Sequence, residues 1–460
     1  MSPSPASTER PSFWEKLAYA LGDTGTALAW RPLMTFLPIF YTDTVGIPGA
    51  AVATLLLVAR VSDGFTDVAM GTIADRTQTR WGRYRPWILW SAVPFGLLLA
   101  LAFTSPGLGD TGNLVWAYVT YILLTLAFTA SNVPYSSLTG VITGHVRERT
   151  VVSSFRFFGA FAGGALALGL AERLVTYFGQ GDDARGYTIT FSIYGAMLAA
   201  FLLITFFGTR ERVQPQITKT RLLDDLHDLL RNHAWLILLL VGFLWVTYVA
   251  IRQGVIMYYF THYMERRDLV GPYMTALVLA SLAATVVTPV LARWMGQRTL
   301  FLGAMAVSGA AAAATYLAGP DNLPLIFTLG IVSDFAAGAF PVLFFSMLGD
   351  AADYSEYKFG HRATGLVYSS GTFAIKLGSG IAGAVMLYVL GRYGYSGTEE
   401  VKSATALEGI RLVMSVVPTA FIVACAAVLI SYPLTRRRME EIQHALEERR
   451  REVTLRKDLP

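Results

Sequence analysis

The chain has 460 residues, 54% of them hydrophobic and only 15% charged, with a net charge of +5. A soluble domain carries about 25% charged residues, so this composition excludes an ordinary soluble enzyme and implies a polytopic membrane protein. The modest positive charge calls for no nucleic-acid partner, and a single cysteine, Cys425, excludes an intramolecular disulfide.

Twelve apolar stretches are long enough to cross ~30 Å of hydrocarbon. They predict helices near 14–42, 49–74, 86–104, 114–142, 154–178, 187–208, 233–262, 271–293, 299–318, 324–349, 363–391 and 406–433. A β-barrel would show alternating segments of ~10 residues instead. Lys and Arg concentrate in the tails and in the loops on the side of the termini, so the positive-inside rule places both termini in the cytoplasm. The first ten residues lack the basic start and short apolar core of a cleaved signal, and helix one is expected to serve as the insertion signal.

Helix one carries Asp23 in Gly22-Asp23-Thr24-Gly25 near its inner end, where it caps or pairs locally, and Trp30 as a flat aromatic face. In helix two, Arg60, Asp63 and Asp67 fall at i, i+3 and i+7 and share one stripe, with Thr66 beside them. Acids inside a bilayer are costly and are kept where they face the bundle interior. Two carboxylates and a hydroxyl are hard oxygen ligands of the kind a small cation needs. Like charges one turn apart repel unless a cation or a proton joins them. A purely structural Arg60–carboxylate pair with one acid spare is the alternative. The basic hairpin Ala74–Pro86 follows, and its Asp75, Arg83 and Arg85 read both as a positive-inside anchor and as a conformational latch to neighbouring helix ends.

Helix four holds Thr129, Ser131, Asn132, Pro134, Tyr135, Ser136 and Ser137. Proline frees a backbone carbonyl there, and such carbonyls line transport sites; packing of small residues is the alternative. Helix five carries Arg156 and helix eleven Lys376, single cations in Gly-rich apolar helices that can donate to hydroxyls or to an anionic group. Internal acids, Asp23, Asp63, Asp67 and the mid-helix Asp334 of helix ten, are available as their ion-pair partners.

The largest polar interruption, 209–232, divides the chain into six-helix halves at 1–208 and 233–433, with a cytoplasmic tail at 434–460. Within it, Leu222–Leu230 reads as a short amphipathic helix, and the tail from Arg436 reads as a solvated helix. Six plus six with a linker predicts an all-α membrane protein with the major facilitator fold, twelve helices in two repeats. No nucleotide-binding glycine loop, His/Cys metal spacing or nucleophile–base pair is present, which points away from an enzyme and toward ion-coupled transport.

The blocks Tyr41-Thr42-Asp43-x-x-Gly46, Arg60-x-x-Asp63-x-x-x-Asp67, Thr79–Trp87, Asn132-x-Pro134-Tyr135, Arg147-Glu148-Arg149 with Arg156, and Asp353–Gly365 with Lys376 resemble the glycoside-pentoside-hexuronide:cation symporters, the melibiose permease group of the major facilitator superfamily. The resemblance spans both halves. It implies a cation site at Asp63, Thr66, Asp67 and Thr129, taking Na⁺ or H⁺. It implies substrate contacts from Arg156 and Lys376, with Asn132, Asp23, Trp30 and Asp334 as further candidates, and gating roles for Asp75, Arg83, Arg85, Asp353, Glu356 and Arg362. Two acids that hold sugar in melibiose permease are replaced here by Ala27 and Asn132, and its helix-four tryptophan by Ser136. The galactoside pattern is therefore not reproduced, although Asp23 resembles the Gly-Asp of the glucuronide and pentoside branches.

The expected function is symport of Na⁺ or H⁺ with a glycoside, pentoside or uronide across the cytoplasmic membrane by alternating access. An amphipathic cargo such as a lysolipid or steroid conjugate on the same fold is the second reading. A non-transporting sensor is the third. No cofactor is expected beyond the coupling ion; the partners are the cargo, that ion and the lipid bilayer.

Overall fold

A computed structural model describes residues 10–213, 228–360, 363–395 and 403–457. Within α2 the side chain of Arg60 and of a few neighbours falls outside this description. Among the described residues the chain is helical, with one isolated bridge between Thr79 and Gly82 closing the hairpin predicted after helix two.

In chain order the helices are α1 (Phe13–Ile39), α2 (Gly49–Arg76), α3 (Arg85–Ala102), α4 (Gly109–Val141), α5 (Val146–Gly179), α6 (Asp183–Gly208), α7 (His233–Tyr258) and α8 (Val270–Met295). There follow α9 (Gln297–Ala314), α10 (Leu323–Ala337), α11 (Ala339–Phe359), α12 (Thr364–Arg392), α13 (Ala404–Met414), α14 (Val416–Ile430) and α15 (Arg436–Lys457). Breaks at Gly338 and Ser415 split the tenth and twelfth predicted spans into α10/α11 and α13/α14. The twelve predicted stretches are all present as helix. Among the described residues, ten helices are long and apolar enough to cross a membrane by length and composition. α1 and α2, which carry Asp23, Asp63 and Asp67, are outside that ten.

Local chemistry sets the helix starts. Side-chain oxygens of Ser12, Asp182, Asn232 and Ser403 accept from backbone N–H groups three residues on, capping α1, α6, α7 and α13. The ends of α1 and α7 share a feature that the spacing did not reveal. Each finishes in a π-turn, Phe40–Thr44 and Tyr259–Tyr263. Each is closed in the same way, by Val45 N–H to Phe40 O with Ile47 N–H to Tyr41 O, and by Met264 N–H to Tyr259 O with Arg266 N–H to Phe260 O. Gly46 and Glu265 occupy matching left-handed positions in the two turns, at φ of +81° and +55°. The two halves thus repeat one helix terminus, although its residues differ almost throughout.

Two compact units are formed. The first comprises residues 1–222, 360–370 and 446–460; the second comprises 223–359 and 371–445. In the first, α1 packs along α5 and α6, and α3 along α4 and α6, around a core that includes Tyr19, Phe95, Phe103, Tyr135 and Phe191. In the second, α7 packs against α14, and α10 against α8 and α9. The first turns of α12, up to Ser370, belong with the first unit and the rest of that helix with the second.

Two expectations need correction. The stretch from Thr209 to Val213 is docked on the first unit rather than forming part of a free linker, as described below. The tail helix α15 is not fully solvated either: Met439, Ile442 and Leu446 are buried, because positions i, i+3 and i+7 give this charged helix one apolar stripe. The amphipathic segment expected at Leu222–Leu230 lies for the most part outside the described residues.

A close helix crossing in the first unit joins α3 to α6 at Gly96 and Gly195, where a Cβ on either glycine would collide with the other's carbonyl. Gly195→Ala is expected to lower the melting temperature of the purified protein by several degrees. Gly169→Ala, at an open position on α5, is expected to leave it unchanged.

Candidate functional site

The acid pair of α2 is buried, Asp63 at 3% exposure and Asp67 at 1%. The Thr129 hydroxyl of α4 donates to Asp67 Oδ1 at 3.0 Å, so α4 supplies an oxygen directly beside the pair. Thr66 behaves differently from the expectation. Its hydroxyl turns back along its own helix and donates to the carbonyls of Ser62 and Asp63, at 3.1 and 3.3 Å. This is the usual local competition of a threonine for the preceding turn. The arrangement therefore presents two carboxylates one turn apart and the Thr129 hydroxyl, all oxygen donors. Among the described residues no group of three His, Cys, Asp or Glu side chains gathers to hold a metal.

Asp23 does not cap locally. It accepts from Arg156 Nε at 2.8 Å, a buried pair linking α1 to α5. Arg156 Nη2 donates to Ser136 Oγ of α4 at 3.0 Å, and the guanidinium lies 5.0 Å from the Tyr135 ring centroid. Tyr135 stacks on Tyr19 at 4.6 Å, and the two exchange hydrogen bonds with each other's backbone carbonyls, Tyr135 to Tyr19 O at 2.6 Å and Tyr19 to Tyr135 O at 3.0 Å. Gly22 admits this stack, since a Cβ there would meet the Tyr135 ring. Burying two ions costs several kcal/mol each, and good geometry with further hydrogen bonds offsets it; Ser136 adds one such bond and the Tyr135 ring a cation–π contact. Trp30 stacks on Phe128 at 4.0 Å, so one of its faces is already covered. Asn132 is half-buried on α4.

The second unit holds a comparable pair. Arg252 Nη1 of α7 donates to Asp334 Oδ2 of α10 at 3.0 Å and to Ser333 Oγ at 2.7 Å. Tyr248 lies beneath the guanidinium at 5.6 Å and shares its hydroxyl with Ser308 and Ser333. Asp334 therefore answers Arg252, a partner the sequence reading did not assign to it. Lys376 is half-buried on α12, and Asp353 and Glu356 are buried near the end of α11. Arg362 lies outside the described residues.

Asp75, in the last turn of α2, ties that helix to the start of α12 within the first unit. Asp75 Oδ1 accepts from the Gly365 backbone N–H at 2.6 Å and Oδ2 from that of Leu366 at 3.0 Å, at the N-terminus of α12. A carboxylate there meets both unsatisfied amides and the positive end of the helix dipole. Tyr84 adds a third donor at 2.5 Å. Burial, followed by the charge of Asp75, holds the Tyr84 phenol well above its usual range, so it remains a donor. Gly71 and Gly365 let the two helices touch backbone to backbone at this point. Arg85 turns to α6, donating to Phe206 O through Nη2 at 2.6 Å, while Arg83 reaches the Asp75 carbonyl at 3.4 Å.

A family model for MFS/sugar transport proteins matches residues 18–436. The chain belongs to that family. It is a transporter of the major facilitator superfamily, not an enzyme, and a multi-pass membrane protein. Membership carries sugar–cation symport, with a small molecule and a coupling cation as partners. The chain is similar to the isoprimeverose transporter of Lactiplantibacillus pentosus, at 35% identity over 86% of this chain and 84% of that one. It is also similar to the inner membrane symporter YicJ of Escherichia coli (strain K12), at 31% over 95% of both. Among solved structures it resembles the MFS transporter FucP in its outward conformation, with a TM-score of 0.68 at 11% identity, covering 92% of this chain and 99% of that one. At that identity the likeness concerns the fold.

Of the expected site residues, the structure joins Asp67 with Thr129, Asp23 with Arg156, and Asp75 with the start of α12. It turns Thr66 away. Four residues that complete these sites, Tyr19, Tyr135, Ser136 and Arg252, were given no such role from sequence. Their shared signal is a tyrosine one helical turn from, or facing, a buried arginine, which a single chain does not separate from ordinary aromatic packing. Removing one member of a buried pair costs about 3–5 kcal/mol, whereas replacing both is far milder. Asp23→Asn is therefore expected to lower the melting temperature more than the double variant Asp23→Asn/Arg156→Gln does, as read by thermal unfolding in detergent.

Proposed function

We propose that this transporter couples inward movement of Na⁺ or H⁺ to uptake of a glycoside across the cytoplasmic membrane, with both termini in the cytoplasm. The supporting observation is the buried Asp63–Asp67 pair with the Thr129 hydroxyl on Asp67 Oδ1. In this reading the cation sits against both carboxylates and accepts a lone pair from Thr129. Its arrival neutralises charge that apolar surroundings penalise. That gain is larger in the state where the site is formed, so ion binding shifts the population toward the substrate-binding state.

Arg156 is the cargo contact of the first unit. Its Nη1 and the hydroxyl-rich face of α4 offer donors and acceptors to sugar hydroxyls. A hydroxyl that competes for Asp23 or Ser136 would exchange one hydrogen bond for another at little net cost. Asn132 and Trp30 are the neutral contacts proposed beside it, and Lys376 and Asp334 are the charged contacts proposed for the second unit. The named cargo of the isoprimeverose transporter supports a glycoside. Net accumulation requires coupling, and Asp75 with α12 is the proposed gate.

The test is uptake of a panel of glycosides and uronides into proteoliposomes, with and without a Na⁺ gradient at fixed pH. Asp67→Asn is expected to abolish ion-driven accumulation while leaving exchange of cargo across the membrane. Thr129→Ala is expected to raise the half-saturating cation concentration roughly tenfold, the loss of one bond to a charged group. Full ion-driven accumulation by Asp63→Asn or Asp67→Asn would contradict the assignment.

A further inference from the structure

The five residues after α6 form a staple over the ends of four helices. Glu211 is its central member. Its carboxylate accepts three consecutive backbone N–H groups: Arg83 at 2.9 Å, Tyr84 at 2.8 Å and Arg85 at 3.0 Å. These are the amides at the start of α3, which has no side-chain cap of its own. Successive amides of this kind make an anion-binding concavity, and a helix N-terminus leaves its first N–H groups unsatisfied. Gly82 is shaped for the same purpose. It has φ of +113°, and a Cβ there would collide with the Glu211 carboxylate.

The exchange is reciprocal. Arg85, at the start of α3, donates through Nε and Nη2 to Phe206 O in the last turn of α6, at 3.3 and 2.6 Å. Thus α6 caps α3 through Glu211, and α3 caps α6 through Arg85. The neighbours of Glu211 extend the staple to α1 and α4. Arg212 forms a two-armed pair with Glu15 of α1, at 2.7 and 2.8 Å. The Arg212 and Val213 amides both donate to Val141 O at the end of α4, at 2.9 Å.

Glu211 therefore fixes the backbone of Tyr84, and the hydroxyl of Tyr84 is the side-chain donor to Asp75. We propose that Glu211 is a positioning residue for the Asp75 latch: it holds the hairpin so that Tyr84 aligns Asp75 on the first amides of α12. The segment leaving α6 is in this way coupled to the closing contact, although Glu211 touches neither cargo nor coupling ion. This rests on the reading of Asp75 as a gate.

The experiment uses full-length protein in nanodiscs carrying Ser369→Cys. Ser369 is buried against Gly71 beneath the latch, and the native Cys425 is itself buried. A hydrophilic maleimide then reports opening as a labelling rate. Glu211→Gln keeps the volume and removes the charge; it and Gly82→Ala are each expected to raise the rate roughly tenfold. Asp75→Asn raises it at least as far, and Asp75→Asn/Glu211→Gln no further than Asp75→Asn does. The cargo affinity holds for Glu211→Gln, while maximal uptake falls. An unchanged rate in Glu211→Gln beside a raised rate in Asp75→Asn overturns the role of Glu211. So does a double variant whose increase is the product of the two single ones. An unchanged rate in Asp75→Asn overturns the gate reading itself.

Discussion

The cost of removing charge from water governs this molecule. Apolar helices dominate the chain, and every charge within them has to be answered from inside the protein. The first unit answers Arg156 with Asp23, Ser136 and the face of Tyr135. The second answers Arg252 with Asp334, Ser333 and the face of Tyr248. Both solutions use the same three ingredients, a carboxylate, a serine hydroxyl and a tyrosine ring. The acid pair on α2 differs, because its two carboxylates carry the same sign. Two carboxylates beside the Thr129 hydroxyl are oxygen ligands of the kind a cation takes, and in the proposed function α2 is where the energy of an ion gradient enters.

Neutralisation at α2 also has a structural route outward. The helix that carries Asp63 and Asp67 ends in Asp75, two turns beyond the pair, and Asp75 holds the start of α12. One helix thus bears both the proposed ion site and the contact to α12. The reciprocal caps between α3 and α6 brace the hairpin from the other side.

The helical architecture was legible because a membrane span is specified by length and hydropathy, and the twelve stretches emerged as helices. The acids on α2 were legible because charge in an apolar run is rare. What was not legible is pairing across sequence distance. Asp23 was one of four acids available to Arg156, and only packing of α1 along α5, allowed by Gly159 and Gly163, selects it. Thr66 sits beside the acids in sequence, but its hydroxyl takes the nearest carbonyl of its own helix. Asp334 was visible as a mid-helix acid, whereas nothing in the sequence ties Arg252 to it. The matching π-turns of α1 and α7 escaped because backbone closure, rather than residue identity, is what repeats. Glu211 escaped as well, since its partners are backbone amides and leave no side-chain signature.

The central claim is that the α2 acid pair binds the coupling ion and that this ion and the cargo favour the same state. Thermodynamic coupling makes that reciprocal: each ligand must tighten the other by the same factor. Titration calorimetry on the purified protein, with Na⁺ and pH varied independently, measures it directly. The account predicts that cargo binds at least fivefold more tightly when the ion is present, that the ion gains equally from the cargo, and that Asp67→Asn removes both gains. Equal cargo affinity with and without either ion, or coupling that persists in Asp67→Asn, would contradict it.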